Sequence, residues 1–534
     1  MCPHYFFEPR PRIGVPLALG LLMFAAAPLP AQFIQQGGKL TASNASGPAG
    51  LGPVALSADG NTALVGGPAD AAGAGAVWVW TRNGNTWTQT AKLVGTGAVG
   101  NARLGVSVAL SADGNTAIAG GFLDHSAAGA AWVWVRRNNT NWSQEAKLVG
   151  TGATGNAYQG YSVALSGDGN TALVGGYNDA GGIGAVWAWT RTSGTWSQQG
   201  NKLVGSGSAG TPYQGYSVAL SGDGNTALIG GFLDDSGAGA AWVWTRSGHS
   251  WSQDGSKLVG SGATGRAYQG VSVALSSDGD TALVGGFVDN NGDGAVWPWT
   301  RSAGMWKQGP KLTGAGAAGH AYQGVSVALS ANGNTALAGG FLDEGGKGAA
   351  WVWTRNGSGW SHQGSKLVGT GGVGNSGQGR NVALSDDGTT CLIGGAFDNE
   401  SAGAAWAYVF TVDVSRQVSV SQSDFSPGRA ERANAGSTWT AVLTITNTSS
   451  ADSAGRTDRG STGGPINGPL HVVFTNLTQN VRLMNGTGVF NGRPYITVAV
   501  DTLAPGESVN VPVEFANPTN NPITYTPVIY AGTL

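Results

Sequence analysis

The chain has 534 residues and a formal net charge of −2. Charged residues make up 11% of it, against about 25% for an ordinary domain, and no basic tract is apparent, which argues against a nucleic-acid partner. Two cysteines, Cys2 and Cys391, exclude a disulfide framework.

Residues 1–31 read as an export signal. Arg10 and Arg12 precede an apolar run from Ile13 to Ala27, and small residues with Pro lead to Ala31 as the last residue before cleavage. The run is shorter than the roughly 20 residues of a membrane span and is broken by Pro16. No later segment is apolar enough to span, and no Cys after the run could accept a lipid. Cleavage removes Cys2, leaving Cys391 as a small buried apolar residue. A secreted, extracellular or cell-surface location is expected.

Seven copies of one unit follow. A Lys-Leu pair marks each, with Lys at 39, 92, 147, 202, 257, 311 and 366, at intervals of 53 to 55 residues. Strand A of each unit is a Ser-Val-Ala-Leu-Ser segment, as at Ser162–Ser166, followed by an Asp-Gly turn at Asp168-Gly169. Strand B is Thr171–Gly175 and strand C is Gly184–Arg191. Strand D lies around Trp196 and runs on to Lys202-Leu203. Short runs of Val, Thr and Trp broken by Gly, Asn and Asp support hairpin-connected strands. Four strands at this period are the signature of a β-propeller with one blade per repeat.

The seventh copy stops after strand C, at Phe410. The missing residues have counterparts at Phe33-Ile34-Gln35-Gln36 and Lys39-Leu40, so the N-terminal segment is expected to supply the outer strand of the last blade and close the ring.

Strand C carries Trp at alternate positions, as at Trp187/Trp189 and Trp242/Trp244. Period two puts both rings on one face, and core packing is the preferred reading over sugar stacking. For the rim residues Trp87, Trp142, Trp196, Trp251, Trp306 and Trp360 the two readings stay open.

Beyond Phe410, Thr438–Asn447, Pro469–Asn476, Tyr495–Val500, Ser508–Phe515 and Ile523–Tyr530 read as strands. Leu503-Ala504-Pro505-Gly506-Glu507-Ser508 before an alternating strand resembles bacterial immunoglobulin-like domains, which implies a β-sandwich. The chain is thus expected to be all-β: a signal peptide at 1–31, a seven-bladed β-propeller at 33–411 closed by an N-terminal strand, a linker at 412–423 and a sandwich at 424–534.

The order Gln-Gly-x-Ser-Val-Ala-Leu-Ser, Asp-Gly-Asn-Thr-Ala-Leu-Val-Gly-Gly, Gly-Ala-Val-Trp-Val-Trp resembles FG-GAP repeats. These build the propeller of integrin alpha subunits and of many secreted bacterial proteins. The Phe of Phe-Gly is replaced by Gln159, Gln214, Gln269, Gln323 and Gln378, and by Leu104. The resemblance implies an extracellular binding or adhesion protein. It also implies calcium in some blades, held by an acidic loop between strands A and B. Here that loop keeps one acid per copy in most repeats, where calcium takes about six to eight oxygens. Asp289, Asn291 and Asp293, between strands B and C, come nearest to a metal loop. Otherwise no cofactor is expected.

An Asp recurs in every loop between strands B and C, including Asp124, Asp179, Asp234, Asp289 and Asp343. The connection into the next strand A carries Tyr158-Gln159, Tyr213-Gln214, Tyr268-Gln269 and Tyr322-Gln323. In a propeller these loops share one face, which makes them the candidate ligand-binding face; the competing reading has each Asp bonding its own loop backbone. No nucleophile elbow or phosphate loop occurs, and the histidines lack partners at ligand spacing, so no enzyme is expected. The leading reading is a binding or adhesion protein with an extracellular protein or glycan ligand. The alternatives are a multivalent lectin and a propeller-based hydrolase or lyase.

Overall fold

The computed structural model describes residues 32–138, 141–357, 359–415, 418–427, 437–448, 465–490, 492–518 and 522–532. The expected export signal lies outside them.

Repeat by repeat, the alternating Val-Ala-Leu and Trp segments form four-stranded antiparallel sheets in the order A-B-C-D. In the fourth copy the strands are Ser217–Leu220, Thr226–Gly231, Ala240–Ser247 and Ser250–Gln253. Matching sheets lie within 54–93, 108–148, 162–198, 272–308 and 326–362. The Asp-Gly turns form for the expected reason: the Asp223 carboxylate accepts from Ser221 Oγ at 2.5 Å and from the Asn225 amide at 2.9 Å.

The seventh copy contributes Asn381–Leu384, Thr390–Gly395 and Ala404–Asp413. Its fourth strand is Gln32–Gln35, antiparallel to Tyr408–Thr411 with Phe33 opposite Phe410. Just after strand A of each sheet, one amide donates to the neighbouring sheet. Ala58 donates to Ala112, Ala112 to Gly167, Gly167 to Gly222, Gly222 to Ser277, Ser277 to Ala331, Ala331 to Asp386, and Asp386 back to Ala58. The series is cyclic, as the repeated sheets of a β-propeller require.

The sheets pack face to face. Trp187 and Trp189 lie against Ile118, Ala131 and Val133 of the preceding sheet. The first Trp of each pair (Trp78, Trp132, Trp187, Trp242, Trp297, Trp351), with Trp406 of the seventh copy, is fully buried. Cys391 sits opposite Tyr408 in the seventh sheet, where other copies pair Ala with Trp, as at Ala172 and Trp189. It is buried, and burial pushes its thiol up.

The C-terminal strands fall in three sheets, one continuing the sheet of the seventh copy, one of five strands and one of two, and a common core includes Leu443, Leu470, Phe474, Val511, Phe515 and Ile529. The expected linker at 412–423 is instead largely sheet. Thr411–Asp413 pair with Tyr530–Gly532, and Val418–Gln422 with Leu443–Asn447. Val412 and Val414 also pack on the C-terminal core, so their apolar side chains draw this segment out of solvent.

Candidate functional site

The loops between strands B and C are tight four-residue corners with left-handed backbone at their centre, which the strand pattern did not announce. In Asp234–Gly237, Asp235 and Ser236 have φ of 49° and 58°. Left-handed backbone at non-glycine residues costs about 1 kcal/mol or more each, so the corners need outside support.

The recurring Asp supplies it. Asp234 is buried; its Oδ1 accepts the Ala209 amide at 2.8 Å, and its Oδ2 is paired with Lys257 Nζ. The amide belongs to the connection entering the sheet, and the lysine is that of the Lys-Leu pair. The arrangement recurs at Asp70–Lys92, Asp124–Lys147, Asp179–Lys202, Asp289–Lys311 and Asp343–Lys366. For Asp398 the partner is Lys39, from the far end of the chain. The ring of Asp is therefore turned inward, bonding a neighbouring connection and a lysine rather than its own loop. Asp234→Ala is expected to lower stability by roughly 3 kcal/mol, the low end for a broken buried pair, since Lys257 keeps 21% of its side chain exposed. Urea unfolding checks this, with Asp235→Ala as the exposed control.

The glutamines are also committed. Gln214 accepts from the Gly205 amide and donates from Nε2 to the Gly205 carbonyl at 2.9 Å. Gln159, Gln269, Gln323 and Gln378 clamp Gly150, Gly260, Gly314 and Gly369 in the same way. Each replaces a strand partner for an isolated peptide unit, which explains a polar side chain at a buried position.

The tyrosines do reach the face. Tyr158, Tyr213, Tyr268 and Tyr322 have φ of 57° to 59°, and the Tyr213 amide is held by Gly182 O of the preceding corner at 2.9 Å. Their rings alternate with an aromatic that follows Gly-Gly at the end of strand B. The contacts run Phe122–Tyr158–Tyr177–Tyr213–Phe232–Tyr268–Phe287–Tyr322–Phe341–Phe397, with centroids 5.4 to 6.4 Å apart. Tyr161 and Tyr216 add an inner pair, their hydroxyls 2.9 Å apart. Burial pushes the Tyr177 phenol up to about 12. Sequence reasoning missed Phe122, Tyr177, Phe232, Phe287 and Phe341. The recurring Gly-Gly-Phe/Tyr was the available signal.

The candidate metal loop is turned to other uses. Asp289 is paired with Lys311, Asp293 bonds Asn290 and His320, and Asn291 is exposed. An ammonium already stands where a cation would need the Asp289 carboxylate. Among the described residues no three His, Cys, Asp or Glu side chains gather to hold a metal ion.

The rim tryptophans are half-buried, and an arginine covers one face of each; Arg191 lies 5.6 Å from the Trp196 ring centre. The Trp196 indole N–H donates to Glu145 of the preceding sheet at 2.9 Å. Rings covered in this way seal seams between sheets.

Residues 142–188, from strand D of the second sheet to strand C of the third, match the FG-GAP repeat family. No curated protein matches the chain. The repeated four-stranded sheets and this match, which spans about one repeat, fit the β-propeller class. No helix among the described residues is long and apolar enough to cross a membrane.

Proposed function

We propose that this is an exported, non-enzymatic binding or adhesion protein. In this reading a seven-bladed propeller, closed by its N-terminal strand, presents the aromatic belt to an extracellular partner. An immunoglobulin-like sandwich behind it serves as spacer or attachment module. The belt carries the proposal: a run of half-buried rings from Phe122 to Phe397 on the loop face offers apolar contact area at low conformational cost. Propellers with FG-GAP repeats are often binding modules, which supports the same view.

The lectin reading loses ground because the Asp and Gln side chains that would hold sugar hydroxyls are bonded internally. Calcium is not required in this account, since lysines neutralise the corner carboxylates.

The test is an array of matrix proteins and glycans probed with residues 32–534, with calcium and with chelator. The expected result is saturable protein binding, indifferent to chelator and weakened about tenfold or more by Phe397→Ala, a ring 42% exposed. Binding confined to glycans would select the lectin, and turnover of a polysaccharide would select an enzyme. Either result would displace the proposal.

A further inference from the structure

The belt changes character in the seventh sheet. In five copies the residue after the Gln-Gly pair opens strand A, and its amide donates to the carbonyl three residues back: Tyr161 to Tyr158, Tyr216 to Tyr213, Val271 to Tyr268, Val325 to Tyr322 and Arg380 to Gly377, at 3.1 to 3.3 Å. Position for position, Arg380 stands where Tyr161 and Tyr216 stand.

Its packing follows theirs. Tyr161 lies between Phe122 of the preceding sheet, at 5.5 Å, and Tyr177 of its own, at 4.6 Å. Tyr216 lies between Tyr177 and Phe232. The Arg380 guanidinium lies between Phe341 of the preceding sheet, at 5.3 Å, and Phe397 of its own, at 5.2 Å. A planar cation thus replaces a phenol in the belt. Two neighbouring changes make room. Gly377 stands where other copies have Tyr, and a Cβ there would lie 2.6 Å from the Phe397 ring. Phe397 has moved one residue along, Ala396 taking the place after Gly-Gly.

Among the described residues Arg380 has no acidic partner. Arg191 and Arg301 make ion pairs, but among the described residues Arg380 makes none, and it is exposed. The corner carboxylates nearby are already taken by lysines. The two rings lie within 5.3 Å of the guanidinium carbon, and among the described residues its N–H donors make no hydrogen bond. A guanidinium left free in this way matches a carboxylate bidentately.

We infer that Arg380, clamped between Phe341 and Phe397, is the recognition point for a carboxylate on an acidic loop of a partner protein. The inference rests on the binding reading above and names the chemistry of its ligand. The groups against Arg380 are aromatic or small (Phe341, Gly377, Phe397), which favours an Asp or Glu flanked by apolar residues. A cationic segment would meet an unpaired guanidinium.

The test uses labelled peptides with Glu between two Phe residues, and versions with Gln or Lys in its place, titrated by fluorescence anisotropy into residues 32–534. The Glu peptide should bind about tenfold tighter than the Gln peptide, with Lys weakest. R380Q should erase the difference without moving the melting temperature, and R380K should keep part of it. Equal binding of the three peptides, a preference for Lys, a preference that survives R380Q, or no binding at all would each overturn the inference. An array partner lost on Phe397→Ala but kept by R380Q would overturn it while leaving the binding reading intact. Peptide discrimination with no array partner would do the reverse.

Discussion

A chain that begins at Thr41 instead of Gln32 is expected to lose on the order of 5–10 kcal/mol, comparable to the whole stability of a typical domain. The deleted segment makes several independent contacts. Gln32–Gln35 pair with Tyr408–Thr411, and Phe33, 7% exposed, packs with Tyr408, Ile393 and Phe410. Burying such a side chain is worth about 1.5–3 kcal/mol. Gln36 accepts from the Trp87 indole at 3.0 Å, bridging to the first sheet. Lys39 is the partner of Asp398, which is wholly buried, and stranding that carboxylate costs roughly another 3–5 kcal/mol. Deletion also leaves the Ala404–Asp413 strand with an open edge of unpaired backbone, a route to aggregation. Thermal melts of residues 32–534 and 41–534 decide the matter. Equal melting temperatures would show that the N-terminal strand is not structural.

Trp242→Ala is expected to cost about 3–5 kcal/mol, the range for removing a large buried aromatic. The ring is fully buried and its indole N–H donates to the Ser206 carbonyl at 2.8 Å. It lies between two glycines. A Cβ on Gly205 would fall 2.3 Å from the ring, and one on Gly231 2.8 Å from it. The cavity cannot be refilled locally without rebuilding both loops, which is why the penalty sits high. Trp251→Ala should cost clearly less, because that ring is only half-buried, with Arg246 at 5.5 Å on one face. Urea unfolding of the two variants measures the difference. A Trp242→Ala loss no larger than that of Trp251→Ala would refute the account of strand C as core.

Several elements were legible because they are local. The Asp-Gly turns, the alternating strands and the paired Trp each follow from a few adjacent residues whose period matches strand geometry. The role of the recurring Asp was only half legible. A bond to the backbone of its own loop was anticipated; the structure bonds it instead to an amide of a neighbouring connection and to a lysine. Asp234 and Lys257 lie in different strand connections of one repeat, and Lys39 and Asp398 stand 359 residues apart. Gln159 and its equivalents looked like ligand contacts because a polar side chain in a loop is usually exposed. The structure buries them because the facing glycine has a peptide unit with no other partner. The linker was misread although Val412-Asp413-Val414 and Val418-Ser419-Val420 alternate as a half-buried strand does.

The sequence by itself determined the repeat, the strand order within each copy and the residues that fill the space between sheets, because hydrophobic periodicity acts over a handful of residues. Only the tertiary structure decided which polar groups are free. Folding of the repeats brings corners, connections and strand ends together, and there the recurring Asp pairs with Lys and the recurring Gln with glycine backbone. The aromatic belt and Arg380 remain on the face, since the neighbours of Arg380 are rings and no described carboxylate pairs with it.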